Sequence, residues 1–148
     1  MSRHILYSFL MLTVVAVLSS CSKKNDISEV PSIQMLNVNS TSILQFKDSL
    51  VITIEYTDGN GDIGEINPDK NSLQIKDRRL SNADYYFVQP LAPPGSDIKI
   101  KGVIKVQIRN TFLLGTGNSE TTNFDLKLRD RSGNWSNTIS TPEITIRK

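Results

Sequence analysis

Between Leu50 and Thr57 the chain alternates. Leu50, Ile52, Ile54 and Tyr56 are large and apolar, whereas Thr53, Glu55 and Thr57 between them are polar. Side chains of a β-strand point in turn to opposite faces, so a period of two predicts a strand with one buried and one wet face. The same alternation runs through Ile104, Val106 and Ile108, through Phe124, Leu126 and Leu128, and through Ile144 and Ile146. Weaker versions cover 33–38, 73–76 and 85–88. No window sustains a period of 3.6, so no helix is predicted in the body of the chain. Segments rich in Gly, Asn, Asp and Pro at 58–71, 89–97 and 110–121 separate the strands.

Seven short strands without a helix predict an all-β fold. The expected architecture is a single seven-stranded sandwich of the immunoglobulin or fibronectin type III kind over residues 32–148, with a small closed barrel as the alternative. The chain has one cysteine, so no disulfide crosses the sandwich, and the fibronectin-like variant is the closer analogue. Neither an internal repeat nor a second domain is evident.

The N-terminus follows different rules. Met1-Ser2-Arg3-His4 is basic, and an apolar run then extends from Ile5 to Leu18, interrupted by Ser8 and Thr13. Fourteen residues fall short of the ~20 needed to span a bilayer. A basic start and a short apolar core fit a secretory signal peptide instead. Leu18-Ser19-Ser20-Cys21 then resembles the lipobox of bacterial lipoproteins. The resemblance implies cleavage before Cys21, removal of residues 1–20 and a covalent lipid on the Cys21 thiol. Residues 21–31 become a lipidated cysteine and polar tether, and the partner implied is a membrane, held through two or three acyl chains. Ser22 lacks the acidic character that retains some lipoproteins at the inner membrane, so the expected address is the outer membrane, with its facing side left open.

Composition narrows the chemistry. Without residues 1–20 the 17 lysines and arginines become 16 against 15 acidic residues, a nearly neutral chain. No clustered basic face emerges, and a nucleic-acid partner is not expected. The only histidine is His4, and the only cysteine is Cys21. The chain beyond the signal therefore lacks the parts for Ser-His-Asp or Cys-His nucleophile systems and for zinc sites built on His or Cys. No enzymatic activity is expected.

One loop concentrates oxygen side chains: Thr57-Asp58-Gly59-Asn60-Gly61-Asp62-Ile63-Gly64-Glu65. Its glycines match G-x-G-x-x-G, but a dinucleotide site needs a helix next, and Pro68 with no helical pattern follows. Asp58, Asn60 and Asp62 stand at i, i+2 and i+4, a spacing with which a tight loop can turn three oxygens onto one calcium ion. Counting from Asp58, an EF-hand would need Gly at Ile63 and Glu at Asp69, so this is not one. The plain alternative is a turn, since Asp-Gly and Asn-Gly steps supply positive φ and cap backbone amides. Across a sandwich the 58–65 loop and the 129–137 segment share one end, which would bring Asp130 near Asp58 and Asp62. The candidate calcium ligands are thus Asp58, Asn60, Asp62 and Asp130, with Arg129 and Arg131 as rival neutralisers of the same carboxylates.

Asp130-Arg131-Ser132-Gly133-Asn134-Trp135-Ser136 is similar to the D-x-x-G-N-x-S turn before the last strand of many bacterial Ig-like and fibronectin-like domains. Together with the lipobox and the 56–64 loop, it makes the chain resemble small Ig-like lipoproteins of Gram-negative bacteria. That resemblance implies location and fold, not an activity. Tyr85, Tyr86 and Phe87 are consecutive and cannot all face a core. They read either as a partly covered strand or, with Trp135, as a sugar-stacking platform. Two function classes follow: a non-catalytic envelope module that contacts a protein partner, and a carbohydrate-binding accessory lipoprotein that contacts a glycan.

Overall fold

A computed structural model of the protein describes residues 27–148. The expected signal peptide, the Cys21 lipidation site and the tether up to residue 26 lie outside the described residues. Among the described residues ten strands are formed. In chain order they are β1 (Ser32–Val38), β2 (Ser42–Leu44), β3 (Leu50–Asp58), β4 (Leu73–Asp77) and β5 (Asp84–Tyr86). They continue as β6 (Ile100–Ile108), β7 (Ser119–Thr122), β8 (Phe124–Leu128), β9 (Ile139–Ser140) and β10 (Ile144–Arg147).

The all-β class is as the alternation predicts, and each of the seven predicted strands has a counterpart. The seven-stranded architecture is not: the strands make three sheets, ordered β1-β3-β6, β2-β10-β7 and β5-β4-β8-β9. The extra strands are β2, β7 and β9, of three, four and two residues. Segments that short cannot display a period, and β7 (Ser-Glu-Thr-Thr) has no large apolar side chain to announce it. All pairings are antiparallel except β2 with β10, where Ser42 stands beside Thr145. Among the described residues no helix is long and apolar enough to cross a membrane.

The period of two is executed literally in β3, where Leu50, Ile52, Ile54 and Tyr56 are buried and the residues between them half-buried. These side chains meet Leu73 and Ile75 of β4, Leu126 and Leu128 of β8, and Ile144 and Ile146 of β10 in one core. Removing such a side chain from water stabilises by about 1.5–3 kcal/mol each, which is what holds the three sheets together. The β3–β6 ladder runs from Leu50 opposite Ile108 to Asp58 opposite Ile100, and so defines two ends of the domain. The Asp58 end carries the candidate site.

Candidate cation site at the end of β3

Asp58 is the next position in the inward phase of β3 after Leu50, Ile52, Ile54 and Tyr56. Its side chain is accordingly fully buried, with 0% exposure. A carboxylate placed there must find partners or lose its charge. One oxygen does: the Asp62 amide donates to Asp58 Oδ2 at 2.9 Å. The other, Oδ1, is buried with no hydrogen-bond partner, and so are Oδ1 of Asn60 and Oδ1 of Asp62. Asn60 and Asp62 are only half-buried as residues, so each has turned this one oxygen inward, away from available water. Asp62 Oδ2 is satisfied, accepting from the Ser132 hydroxyl at 2.8 Å.

The glycines make the loop tight. Gly61 and Gly64 adopt φ of +73° and +88°, the left-handed region that L side chains rarely enter. Gly59 serves a different purpose: a Cβ there would lie 2.5 Å from the Ile27 carbonyl oxygen and 2.8 Å from the Glu29 amide nitrogen. The first described residues, 27–29, thus run directly across the loop.

The two loops meet as the sandwich geometry anticipates. Ile63, fully buried, forms a β-bridge with Asp130, and the Arg131 amide donates to the Asp62 carbonyl at 3.0 Å. Asp130 is fully buried too, yet its carboxylate is occupied. The Asn134 amide donates to Oδ1 at 2.7 Å and the Asn134 side-chain amide to Oδ2 at 2.9 Å.

Neither rival arginine reaches the carboxylates. The Arg131 guanidinium donates to the carbonyls of Gly64 and Gly61, at 3.2 and 3.5 Å. Arg129 lies 5.9 Å from the Trp135 ring centre, its Nε buried without a partner. Burial therefore pushes the Asp58 carboxyl above its usual range. The bond from the Asp62 amide and the nearness of the Gly61 amide pull the other way, while the charges of Asp62 and Asp130 add to the rise. Among the described residues no three His, Cys, Asp or Glu side chains converge as a metal-binding group. The orphaned set is instead two carboxylates and one amide, with Asp130 held back by Asn134.

Two other places carry chemistry. Tyr85, Tyr86 and Phe87 are all exposed, with 52, 46 and 41% of their surface free, so none of the three joins the core. Tyr85 meets the half-buried Trp135 edge-on at 6.4 Å. Tyr86 and Phe87 line a cleft of about 320 Å³ between β5 and β6, together with Leu91, Ile104 and Val106.

At the opposite end of the domain the sequence pattern left a buried network unmarked. Asp77, again in the inward phase after Leu73 and Ile75, accepts from Arg79 Nη2 at 2.7 Å and from the Thr122 hydroxyl at 2.6 Å. Arg79 also donates to Glu120 at 2.8 Å and to the Phe112 carbonyl at 3.0 Å. The signal was available, since an aspartate in phase with a buried apolar run asks for a partner.

The fold and the site define an all-β protein whose loop end gathers unpartnered oxygens. No family model, no curated protein and no solved structure matches the chain, so its function is argued from its own residues.

Proposed function

We propose that this chain is a lipid-anchored protein of the bacterial envelope, held by acyl chains on Cys21. Its β-domain, of the immunoglobulin or fibronectin type III kind, is a non-catalytic module that contacts an envelope protein. The observation that carries the reading is Leu18-Ser19-Ser20-Cys21, with the one cysteine of the chain at the position lipidation requires. Two or three acyl chains hold a protein to a bilayer stably where one does not. Ser22 after the lipidated residue favours the outer membrane.

The same reading orients the domain. Ile27 lies six residues past Cys21, a tether that reaches about 20 Å when extended. Because residues 27–29 cross Gly59, the anchored domain presents its Asp58 end to the membrane. The non-catalytic part rests on the lack of histidine and cysteine beyond Cys21.

A second reading, an accessory protein that binds carbohydrate, is favoured by one observation: the exposed Tyr85 ring set against Trp135 under Arg129. The decisive experiment for the anchor is Cys21→Ser, followed by fatty-acid labelling and membrane fractionation. The variant loses both the label and the membrane pool. A variant that still labels and still sediments with membranes overturns the anchor. Separately, turnover of a polysaccharide or ester that a single Asp or Glu substitution abolishes, with folding intact, overturns the non-catalytic part.

A further inference from the structure

We infer that the Asp58–Asp62 loop is a calcium site, with Asp58, Asn60 and Asp62 each presenting Oδ1 to one ion. The inference goes beyond the anchor reading and is independent of it. Three oxygens at i, i+2 and i+4 are buried without a hydrogen-bond donor, and the side chain of Asp58 has no exposed surface at all. Leaving a buried polar atom unpaired costs about 1–3 kcal/mol, and more when it is charged. Three such atoms in five residues are what a bound cation explains: each is a hard oxygen, each faces inward, and none is needed to close the turn. The turn is already closed by Asp58 Oδ2 on the Asp62 amide and by the Ser132 hydroxyl on Asp62 Oδ2.

Charge argues in the same direction. The Arg131 guanidinium binds loop carbonyls and Arg129 lies over Trp135, so neither arginine of the facing turn offsets Asp58 and Asp62. Calcium takes six to eight oxygens in flexible geometry, including carbonyls and water, so the three side chains need be only part of its shell. Magnesium demands a smaller, near-ideal octahedron and gives up its water reluctantly, so it suits three oxygens fixed on one loop less well. Asp130 enters as a nearby fixed charge rather than a ligand, because Asn134 holds both its oxygens. A cation seated there holds the 58–62 loop in the shape that Ser132 and Arg131 grip from the 130–134 turn and that residues 27–29 cross at Gly59.

The test is thermal melting and calorimetric titration of the full chain, purified in detergent, in EDTA, in calcium and in magnesium. Each chain binds one calcium ion, which raises the melting temperature by about 10 °C at a 100-fold excess over Kd. Magnesium raises it less. Asp62→Asn and Asn60→Ala, both at half-buried positions that leave the core intact, weaken calcium binding at least tenfold, while exposed Asp69→Asn leaves it unchanged. Coincident melting curves in EDTA and millimolar calcium, with no heat of binding, overturn the site. So does a calcium response that Asp62→Asn and Asn60→Ala retain in full, since the ion then binds elsewhere.

Discussion

Asp58 and Asp77 hold equivalent places in two strands, each the last inward-facing residue after a buried apolar run, yet Asp77 has an arginine in contact and neither nearby arginine reaches Asp58. Arg79 Nη2 lies 2.7 Å from Asp77 Oδ2, whereas Asp58 Oδ1 has no partner. The two carboxyls shift accordingly. Burial pushes both up, and at Asp77 the bonds from Arg79 and Thr122 more than offset it, leaving that group below its usual value. At Asp58 nothing does, and the group lies above its usual value. One end of the domain pairs its buried carboxylate with an arginine, and the other leaves a buried carboxylate oxygen without a hydrogen-bond partner.

Asp77→Asn tests the neutralised end. A carboxyl whose folded value is depressed contributes stability above its unfolded value, near pH 3.9, and loses it as pH falls through the folded value. The variant therefore unfolds at lower denaturant at pH 7, by about 2 kcal/mol. The gap to the parent protein narrows as pH falls below the ordinary carboxylate value and through the lower folded one. A gap that stays constant from pH 7 to pH 2 in urea titrations would mean that packing, not the charge, sets the difference.

Arg79→Ala reaches further than Asp77→Asn. Besides abandoning Asp77 it releases Glu120, which also holds the amides of Leu114 and Gly115 at 2.9 and 2.6 Å. The loop between β6 and β7 loses one of its ties, and a buried carboxylate is left unpaired at a cost of about 3 kcal/mol. Faster amide exchange at 112–116 than at the Asp58 end is the expected signature. Uniform exchange across both ends would show that the clamp is not local.

Gly59→Ala separates steric need from backbone freedom. The new Cβ collides with backbone at Ile27 and Glu29, so the 27–29 segment must lift. Gly95→Ala is the contrast: its φ of +82° is strained for alanine, but the space around it is open. Limited proteolysis cuts Gly59→Ala near residue 28 faster than Gly95→Ala or the parent protein. Equal cutting of all three would place the segment elsewhere in solution.

Ile63→Ala asks whether the loop belongs to the core. Ile63 has no exposed surface although it stands outside every strand, and it bridges to Asp130. Its truncation costs about 2–4 kcal/mol, the range of a core isoleucine. A loss under about 1 kcal/mol in guanidinium unfolding would make the loop a surface appendage rather than a plug.

The carbohydrate reading stands on Tyr85. As a half-exposed ring, it can be truncated to alanine with little effect on melting temperature. If that ring stacks on sugar, Tyr85→Ala lowers retention on an immobilised glycan about tenfold, the value of one aromatic contact. Retention that is unchanged, or absent in the parent protein, leaves the protein-contacting module as the reading.

What the sequence determined by itself is the set of strands that carry the core. The period of two in 50–57, 104–108, 124–128 and 144–147 is a local property of side-chain direction, and burial follows it fully in β3, β8 and β10 but only in part in β6, where Val106 is buried and Ile104 and Ile108 are half-buried. The same period, carried one step further, reaches Asp58, Asp77 and Asp130, so the burial of three aspartates was legible as well. Partners were not. That Asp77 meets Arg79 and Thr122, that Asp130 is held by Asn134, and that Asp58 Oδ1 is left without a hydrogen-bond partner depend on which strand ends share a corner and how each side chain turns there. Only the folded chain fixes those distances. The tertiary structure likewise decided for three sheets over one seven-stranded sandwich, because β2, β7 and β9 exist through their pairing with β8 and β10 and have too few residues to reveal themselves by pattern.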